Sequence, residues 1–376
     1  MRILQTINGL SAASGGSSTC TYDLLKALQG TNVEAQLVTL QWGDDLGVEE
    51  SWATFLMNDA RTPVGLSENM AQFLREVEVD IIHTNGLWSY TNHISAKVAR
   101  EKSIPFVLTP HGMLIGDALK RNYRKKWPLL KLWFEKDIAS AACLHATCKA
   151  EAEHIRRFGY KGPIAVIPNP MPRVQWIGEI KEYHDRKRIG FLGRLHPVKR
   201  VDVLIEAWRV LGEKVDGAEL VLIGCGTPEY EKYLRDKAAE CKYGKVTFRG
   251  FVNGKEKFDE LASLRALCLV SNFENFGMTV TEALSVGTPV IANLTTPWED
   301  LNDYNCGWWI TASVENIAEV IEKALALTPE EREVMGNNGK RLVETKYTAK
   351  RVAEMMSGLY AWILGSGDKP EFVDIV

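Results

Sequence analysis

The chain has 376 residues, which is room for two domains of ordinary size, each with its own hydrophobic core. Hydrophobic residues make up 45% and charged residues 25%, as in globular proteins, and the formal net charge of −3 argues against a general nucleic-acid binder. The seven scattered cysteines indicate reduced thiols, no run approaches the roughly 18 apolar residues of a membrane helix, and no signal peptide precedes the first predicted strand, so we expect a cytoplasmic protein.

The first predicted domain opens with a strand, a loop of small residues and a helix. The strand spans residues 2–7, the helix spans residues 17–29, and the loop ends in Gly15 and Gly16. This order is typical of a Rossmann-like unit, but the G-x-G-x-x-G fingerprint of dinucleotide sites is absent, which disfavours a dehydrogenase. On the residues alone, the glycine pair is equally well explained as a structural turn.

Two adjacent acids, Asp44 and Asp45, follow the second predicted strand. A carboxylate pair can bind a metal ion, but this polar loop has no histidine or third acid nearby to complete the site. We therefore predict solvated surface here and no metal site in the chain.

Histidines follow two predicted strands of the first domain. His83 and His111 each come directly after a short apolar run. Ligands of open parallel sheets bind beyond the carboxyl ends of the strands, so both histidines fall where a site is expected. For His83 a hydrogen-bonded structural role is about as well supported as a binding role. With Asn85 and Trp88 beside it, His83 is a candidate contact to an acceptor substrate.

A basic and aromatic segment runs from residue 120 to residue 137. Seven Lys and Arg residues stand against two acids, and four aromatic side chains are interleaved with them. The segment is either a solvated helix with its aromatics in the core or a surface for an anionic membrane or lipid diphosphate, to which each basic residue contributes about 1 kcal/mol. The candidate patch consists of Lys120, Arg121, Arg124, Lys125 and Lys126.

A proline-rich stretch separates the two predicted domains. Three prolines between residues 168 and 172 and a polar segment up to residue 188 interrupt the alternation of strands and helices. We place the boundary there, with a first domain over residues 1–172 and a second over residues 173–345. Residues 346–376 contain a long final helix and a polar tail.

The second domain repeats the alternation and places two cations and an apolar pair after its strands. Arg194 and Lys199 follow a predicted strand at residues 188–191, and Phe251 and Val252 follow another. Without further context the cations are surface charges, and the apolar pair is either an exposed wall or part of the core.

Residues 271–287 join a buried strand to a predicted helix through a polar turn. Glu274 lies in the turn and Glu282 about one turn into the helix, so both can face one molecule several ångströms long. The helix start offers free amides, a natural seat for phosphate. These amides belong to Asn275, Phe276, Gly277 and Met278. Hydroxyl acceptors on both sides of an anion site suit a nucleoside-diphosphate sugar, although an E-x7-E spacing by itself is common.

The block E-N-F-G-M-T-V-T-E-A-L-S-V-G-T-P-V-I-A, which starts at Glu274, closely resembles the E-G-F-G-(x)4-E-A-(x)2-G-x-P-V-(I/V)-A motif of retaining GT-B glycosyltransferases, family 4. Asn275 replaces the commoner glycine. T-P-H-G-M around His111 and G-R-L-x3-K from Arg194 resemble other elements of this family. The resemblance implies two Rossmann-like α/β/α domains facing each other across a cleft, with the acceptor on the first, the donor on the second and the final helix packed on the first.

The resemblance also implies roles for residues that the sequence alone leaves open. Glu274 and His111 orient the transferred sugar, and Glu282 holds the ribose. Arg194 and Lys199 clamp the diphosphate, because phosphates beside Glu274 need cations to offset carboxylate repulsion. The implied catalytic residues are Glu274, His111, Arg194 and Lys199. Further donor contacts are implied for Gly15 and Gly16 and, at the turn that receives the base, for Phe251 and Val252.

The implied reaction is retaining transfer of a hexose from a UDP- or GDP-sugar to a saccharide, without metal or cofactor. Many members of the family act on polyprenyl-linked saccharides at the cytoplasmic membrane face. This favours a polyprenyl-diphosphate-saccharide acceptor and a peripheral membrane contact for the basic segment, and a role in bacterial capsule, O-antigen or exopolysaccharide assembly. The alternatives are a GT-B nucleotide-sugar epimerase or phosphorylase and a non-catalytic sugar-binding protein.

Overall fold

The computed structural model describes residues 1–10, 16–43, 50–60, 62, 64–120, 122–171 and 187–375, without the side chains of Asp117 and Ala118. The chain divides into two compact units. Unit 1 is Met1–Pro172 with Thr348–Val376, and unit 2 is Arg173–Tyr347. The sequence prediction places these divisions after residues 172 and 345, and the segment 172–186 at the first of them lies outside the described residues.

The elements of both units alternate between strands and helices. The described strands are β1 (Arg2–Gly9), β2 (Glu34–Leu40), β3 (Ala53–Leu56), β4 (Ile81–Asn85), β5 (Phe106–Thr109), β6 (Cys143–Ala146), β7 (Ile164–Val166), β8 (Arg188–Leu192), β9 (Glu219–Ile223), β10 (Lys245–Gly250), β11 (Ala266–Leu269), β12 (Val290–Asn293), β13 (Gly307–Ile310) and β14 (Val373–Asp374). The α-helices are α1 (Gly16–Leu28), α2 (Glu68–Glu76), α3 (Tyr90–Lys102), α4 (Gly116–Lys120), α5 (Tyr123–Leu129), α6 (Glu135–Ala139), α7 (Lys149–Phe158), α8 (Val201–Leu211), α9 (Pro228–Ala238), α10 (Gly254–Ala262), α11 (Met278–Ser285), α12 (Asp300–Asp303), α13 (Val314–Ala326), α14 (Pro329–Leu342) and α15 (Ala349–Ile363). A π-helical turn, Leu130–Phe134, connects α5 to α6, and another, Val343–Tyr347, follows α14. Short 3-10 turns precede and follow α8 at Pro197–Lys199 and Gly212–Val215.

Each unit is built on one sheet, and in each sheet the order in which successive strands are added reverses at one point. In unit 1 the order is β14-β7-β6-β5-β4-β1-β2-β3, and all neighbours are parallel except β14 and β7. In unit 2 the order is β10-β9-β8-β11-β12-β13, and all neighbours are parallel. The switch points therefore lie between β1 and β4 and between β8 and β11, and ligands of such sheets bind at the carboxyl ends of the strands there.

The strands are apolar runs because helices cover the sheets. In unit 2 every residue of β11 is buried, and Trp208 on α8 is part of the same core. In unit 1, α15 packs against α1 and buries Met356, Leu359 and Tyr360 beneath residues of β1 and β2. Since the strands themselves are apolar, polar side chains at the strand ends are the groups that can form a functional site.

Candidate functional site

The switch point of unit 2 joins the loops that follow β8 and β11. The amide of Asn272 donates to the carbonyl of Val198, 2.8 Å away, and so ties the two loops together. Lys199 Nζ forms an ion pair with the Glu274 carboxylate, and the Ser271 hydroxyl donates to the same carboxylate at 3.3 Å. The structure thus brings the cation predicted to bind phosphate into contact with the acid predicted to hold the sugar.

A glycine with a positive φ begins helix α11 beside this pair. Gly277 has φ +85°, and a Cβ atom there would lie 3.0 Å from Leu269 Cδ2 and 3.1 Å from Glu274 Cγ. Only glycine adopts this conformation in this space without strain. The Trp298 indole donates to the Phe276 carbonyl at 2.6 Å and fixes the turn further. The amide of Val280 donates to the Gly277 carbonyl at 2.9 Å. The amides of Met278 and Thr279, the first two of α11, have no acceptor within the helix and lie close in sequence to Glu274.

The second glutamate of the motif is also paired with a lysine. Glu282 on α11 lies 2.6 Å from Lys257 Nζ on α10, and both side chains are largely buried. Sequence reasoning missed Lys257, because this lysine belongs to no motif and its only signal is a position on the helix that precedes β11. Its charge compensates the carboxylate predicted to hold the ribose.

Arg194 lies on the loop after β8 with an exposed side chain, and no ion pair of Arg194 occurs among the residues that the structure describes. The turn after β9 passes tightly against this loop. Gly224 has φ +133°, and a Cβ atom there would lie 1.9 Å from the carbonyl oxygen of Gly193, so a side chain would push the two loops apart. The structure therefore leaves the Arg194 guanidinium available to a ligand.

Of the two apolar residues that follow β10, one is exposed and the other is buried. Phe251 is 70% exposed, whereas Val252 is 5% exposed and belongs to the core. The prediction that both form a wall for the base is therefore wrong for Val252, since its side chain points into the fold. Phe251 is available for such a contact.

The switch point of unit 1 carries a cavity of about 590 Å³ at the carboxyl ends of β1 and β4. Its walls include Trp42, Trp88 and Met113, with Asn8 and Asn92 among its polar groups. No charged side chain lines it within the described part of the chain. The Trp42 indole donates to the Asn8 carbonyl at 2.7 Å, so this wall is held in place. The volume and the few neutral polar groups are those of a small-molecule site.

His111 follows β5 with φ +49°, and its Nε2 lies 3.1 Å from Asn85 Oδ1. Burial, and then the nearby His145, lowers the pKa of His111 to about 3. The imidazole is therefore neutral at physiological pH and suits a hydrogen bond to an uncharged group.

The three residues predicted to contact an acceptor differ in their burial and in their distance from the cavity. His83 has no exposed surface and bonds to Tyr360 and Thr109, so the prediction that it touches an acceptor is wrong. The reason is strand length: β4 continues two residues past His83 and places it inside the sheet. Asn85 borders the cavity, but both polar atoms of its side chain are already bonded. Trp88, which borders the cavity and is partly exposed, remains a candidate contact.

Two predicted site residues, Gly15 and Arg121, lie outside the described residues. Gly16 is the exposed first residue of α1. The donor role of this glycine pair stays a prediction.

The basic segment adjoins the cavity of unit 1. Lys126 Nζ lies 5.2 Å from the centre of the Trp88 ring. Tyr123 and Trp127, on the same helix α5, are 53% and 47% exposed, so these two aromatics are not core residues. Within the candidate patch, the exposed basic side chains in the described part of the chain are those of Lys120, Arg124 and Lys125. Lys126 therefore lies beside one wall of the cavity, and exposed cations and aromatic rings occur together on α5.

No cluster of three or more His, Cys, Asp or Glu side chains that could hold a metal ion occurs in the described ranges. The prediction that the protein needs no metal or cofactor stays a prediction. The helices of the described chain are also too short or too polar to cross a bilayer.

The chain resembles known proteins over both units. The model of Glycosyltransferase Family 4 matches residues 14–173, and the model of Glycosyl transferases group 1 matches residues 173–342. An uncharacterized glycosyltransferase of Methanocaldococcus jannaschii is 30% identical over 179 residues, which are 47% of this chain and 45% of that protein. The GDP-mannose-dependent alpha-(1-6)-phosphatidylinositol monomannoside mannosyltransferase of Mycobacterium tuberculosis is 27% identical over 209 residues, 51% of this chain and 52% of that protein. The matched part thus spans about half the length of these relatives.

Among solved structures, Anabaena HepE in complex with UDP and glucose superposes with a TM-score of 0.74 at 16% identity, covering 96% of this chain and 100% of that chain. The predicted fold of two parallel-sheet α/β domains is confirmed, and the epimerase, phosphorylase and sugar-binding alternatives are not favoured. The chain therefore has the GT-B fold and belongs to the group 1 and family 4 glycosyltransferases.

Proposed function

We propose that the protein transfers a hexose from a UDP- or GDP-linked sugar to a saccharide hydroxyl with retention of the anomeric configuration. The observation that carries this proposal is the Lys199–Glu274 ion pair at the switch point of unit 2, next to the start of α11. A cation, helix amides and a carboxylate offer the three kinds of group that a diphosphate and a sugar need. HepE with bound UDP and glucose and the mycobacterial relative named for GDP-mannose support this donor class.

In the proposed reaction, the bond between the anomeric carbon and the diphosphate oxygen breaks, and a bond from that carbon to the acceptor oxygen forms on the same face. The acceptor proton passes to the departing phosphate oxygen. Negative charge grows on the diphosphate, and Arg194, Lys199 and the amides of α11 stabilise it. These groups supply enough positive charge that we propose no requirement for a metal or cofactor.

Within the donor site of unit 2, Glu274 accepts hydrogen bonds from the sugar hydroxyls. For His111 of unit 1, the proposed role is a hydrogen bond to the transferred sugar. Glu282, compensated by Lys257, accepts from the ribose, and Phe251 covers the base.

The cavity of unit 1 is the proposed acceptor site. Its neutral polar groups suit the hydroxyls of a saccharide, and the rings of Trp42 and Trp88 offer apolar surfaces of the kind that sugar rings cover. The basic surface at its rim, where Lys126 lies over Trp88, suits the diphosphate of a lipid-linked saccharide and an anionic bilayer. We therefore propose a lipid-linked acceptor, a peripheral contact with the inner face of the membrane, and a role in bacterial surface polysaccharide assembly.

A donor panel tests the proposal directly. UDP-, GDP- and ADP-linked hexoses are incubated with the full chain and a polyprenyl-diphosphate saccharide, and both nucleotide release and the anomeric configuration of the product are measured. We expect acceptor-dependent release from UDP- or GDP-sugars and a product with the configuration of the donor. An inverted product contradicts the retaining mechanism, and tight donor binding without turnover in any pair contradicts the transferase.

EDTA is added in a parallel reaction. Unchanged turnover is the expected result, and a loss that magnesium restores would contradict the proposed independence of metal.

A further inference from the structure

A continuous chain of side-chain hydrogen bonds crosses the sheet of unit 1 from His145 on β6 to His111. The side chains come from four strands, from α15 and from the loop after β5. In order they are His145, Thr109, His83, Tyr360, Gln5, Asn85 and His111. Tyr360 on α15 is the middle member and has no exposed surface.

His145, the first member of this chain, is bonded to a backbone carbonyl oxygen. This bond determines which atom is the donor in each of the following hydrogen bonds. His145 Nε2 lies 2.7 Å from the Ile167 carbonyl oxygen, and a carbonyl only accepts, so Nε2 carries the hydrogen. His145 is neutral because burial lowers its pKa to about 4. Its Nδ1 therefore accepts from the Thr109 hydroxyl at 2.8 Å. Thr109 has then used its hydrogen and must accept from His83 Nε2, 2.6 Å away.

The same reasoning continues to His111. Burial also keeps the pKa of His83 well below its ordinary value, so its Nδ1 accepts from the Tyr360 hydroxyl at 2.7 Å. Tyr360 must then accept from the Gln5 amide at 3.1 Å. The Gln5 carbonyl oxygen accepts from the Asn85 amide at 3.0 Å. The Asn85 carbonyl oxygen, 3.1 Å from His111 Nε2, is left to accept from that nitrogen.

We infer that this chain fixes His111 in the tautomer with its hydrogen on Nε2 and leaves Nδ1 as an acceptor for a substrate hydroxyl. Asn85 is the only hydrogen-bond partner of the His111 ring in the described part of the chain. A ring that presents a lone pair binds a hydroxyl of a sugar and repels a phosphate oxygen. Tyr360 is accordingly a positioning residue, which acts on the site from the final helix through Gln5 and Asn85. The inference rests on the proposed role of His111 in binding the transferred sugar.

The tautomer can be observed without any substrate. The full chain is labelled with ¹⁵N-histidine, and long-range proton–nitrogen correlation spectra separate the protonated from the unprotonated ring nitrogen. His111→Gln assigns the signal among the seven histidines. We expect the His111 hydrogen on Nε2 and an unprotonated Nδ1. A hydrogen on Nδ1 in the unsubstituted protein overturns the inference.

Tyr360→Phe tests the positioning role. The ring keeps its packing, but His83 loses its donor and Gln5 loses its acceptor. We expect the His111 signal to become a mixture of tautomers and kcat to fall about five- to tenfold, as for one lost hydrogen bond, while the affinity for UDP alone stays the same. Tyr160→Phe is the matched control, because Tyr160 is also buried and donates to the Ala141 carbonyl outside this chain of bonds. An unchanged tautomer in Tyr360→Phe excludes the positioning role.

Donor analogues separate this inference from the proposed function. If Nδ1 accepts, replacing the contacted sugar hydroxyl by hydrogen or by fluorine weakens donor binding equally, because fluorine donates nothing. A fluoro analogue that binds clearly more tightly than the deoxy analogue shows a donating His111 and overturns the inference. Absence of turnover with every donor, together with an Nε2-protonated His111, instead contradicts the transferase and leaves the tautomer assignment standing.

Discussion

Both units place polar side chains at the switch point of their sheet, but the free-energy cost of burying these side chains is offset in different ways. At the switch point of unit 2, carboxylates are paired with lysines, Glu274 with Lys199 and Glu282 with Lys257. At the switch point of unit 1, the polar groups are amides, hydroxyls and histidines, and burial holds the histidines neutral. One architecture therefore supports an ionic site and a neutral site.

This difference matches the chemistry of the two proposed substrates. Moving charge into a partly buried site costs free energy unless a counter-charge is present, so a diphosphate needs the cations of unit 2. Saccharide hydroxyls carry no charge and need only hydrogen-bond partners and apolar walls, which unit 1 offers. Changes that alter charge in unit 2 should act on the donor, and changes to the walls of the unit 1 cavity should act on the acceptor.

The largest effect is expected from Glu274→Gln. The substitution keeps the shape of the side chain but removes the charge that faces Lys199 and the proposed sugar, so kcat should fall by about 100-fold or more. Steady-state kinetics with the preferred donor measures this. Glu219→Gln, an ion-paired glutamate at the opposite end of the unit 2 sheet, is the control and should keep turnover. Equal turnover in both variants would remove Glu274 from the reaction.

A second test measures how the stability of the two units depends on pH, because only the neutral site, in unit 1, contains buried histidines. The pKa of His145 is lowered to about 4, below that of a histidine in the unfolded chain, so the unfolded state binds more protons at acidic pH. The stabilisation is complete above pH ~6.5 and is lost as the pH falls, by about 2 kcal/mol down to pH ~5. Hydrogen exchange followed by mass spectrometry should show peptides of unit 1 losing protection first. Simultaneous loss in both units over this range would contradict the assignment.

Lys199→Ala is expected to have the next largest effect. It removes a counter-charge of Glu274 and a proposed phosphate contact, so the donor KM should rise by about 30-fold with a smaller change in kcat. Lys214→Ala, an exposed ion-paired lysine of unit 2, controls for the loss of a positive charge. If the donor KM is unchanged and the acceptor KM rises instead, the division between an ionic donor site and a neutral acceptor site is wrong.

The histidines show what the sequence could and could not predict. His83 and His111 both follow apolar runs, so the pattern treats them alike. β4 extends to Asn85 and encloses His83, whereas β5 ends at Thr109 and leaves His111 in a loop. Strand ends depend on pairing with neighbouring strands, which a local pattern does not contain. The sheets and the motif around Glu274 were predictable because periodicity and turn residues are local.

The contacts that the sequence missed are between residues distant in the chain. Gln5 and Tyr360 are 355 positions apart, and Trp42 and Asn8 are 34 apart. Lys257 pairs with Glu282 only because α10 and α11 are neighbours in the fold. None of these residues stands out by type or spacing, so only the tertiary structure identifies them.

Trp42→Ala tests the neutral site with a smaller expected effect. Trp42 is 45% exposed, so its loss costs little stability, but it removes a wall of the cavity and should raise the acceptor KM by about tenfold. Donor hydrolysis in the absence of acceptor should stay the same. Tyr233→Ala, a similarly exposed aromatic residue of unit 2, is the control. A rise in the donor KM without a change in the acceptor KM would contradict an acceptor site in this cavity.

The smallest effect is expected from Lys125→Ala on the basic surface of unit 1. One lysine near an anionic bilayer contributes about 1 kcal/mol, so affinity for vesicles with anionic lipid should fall about fivefold, and raising the salt concentration should shrink the difference. Vesicle sedimentation measures this, with the exposed Lys232 of unit 2 replaced by alanine as the control. Because this surface carries charge at the rim of a neutral cavity, turnover should change more with a lipid-diphosphate acceptor than with a water-soluble saccharide. Equal changes with both acceptors would show that the lysine contacts the saccharide itself, and the rim would then belong to the acceptor site and not to a membrane contact.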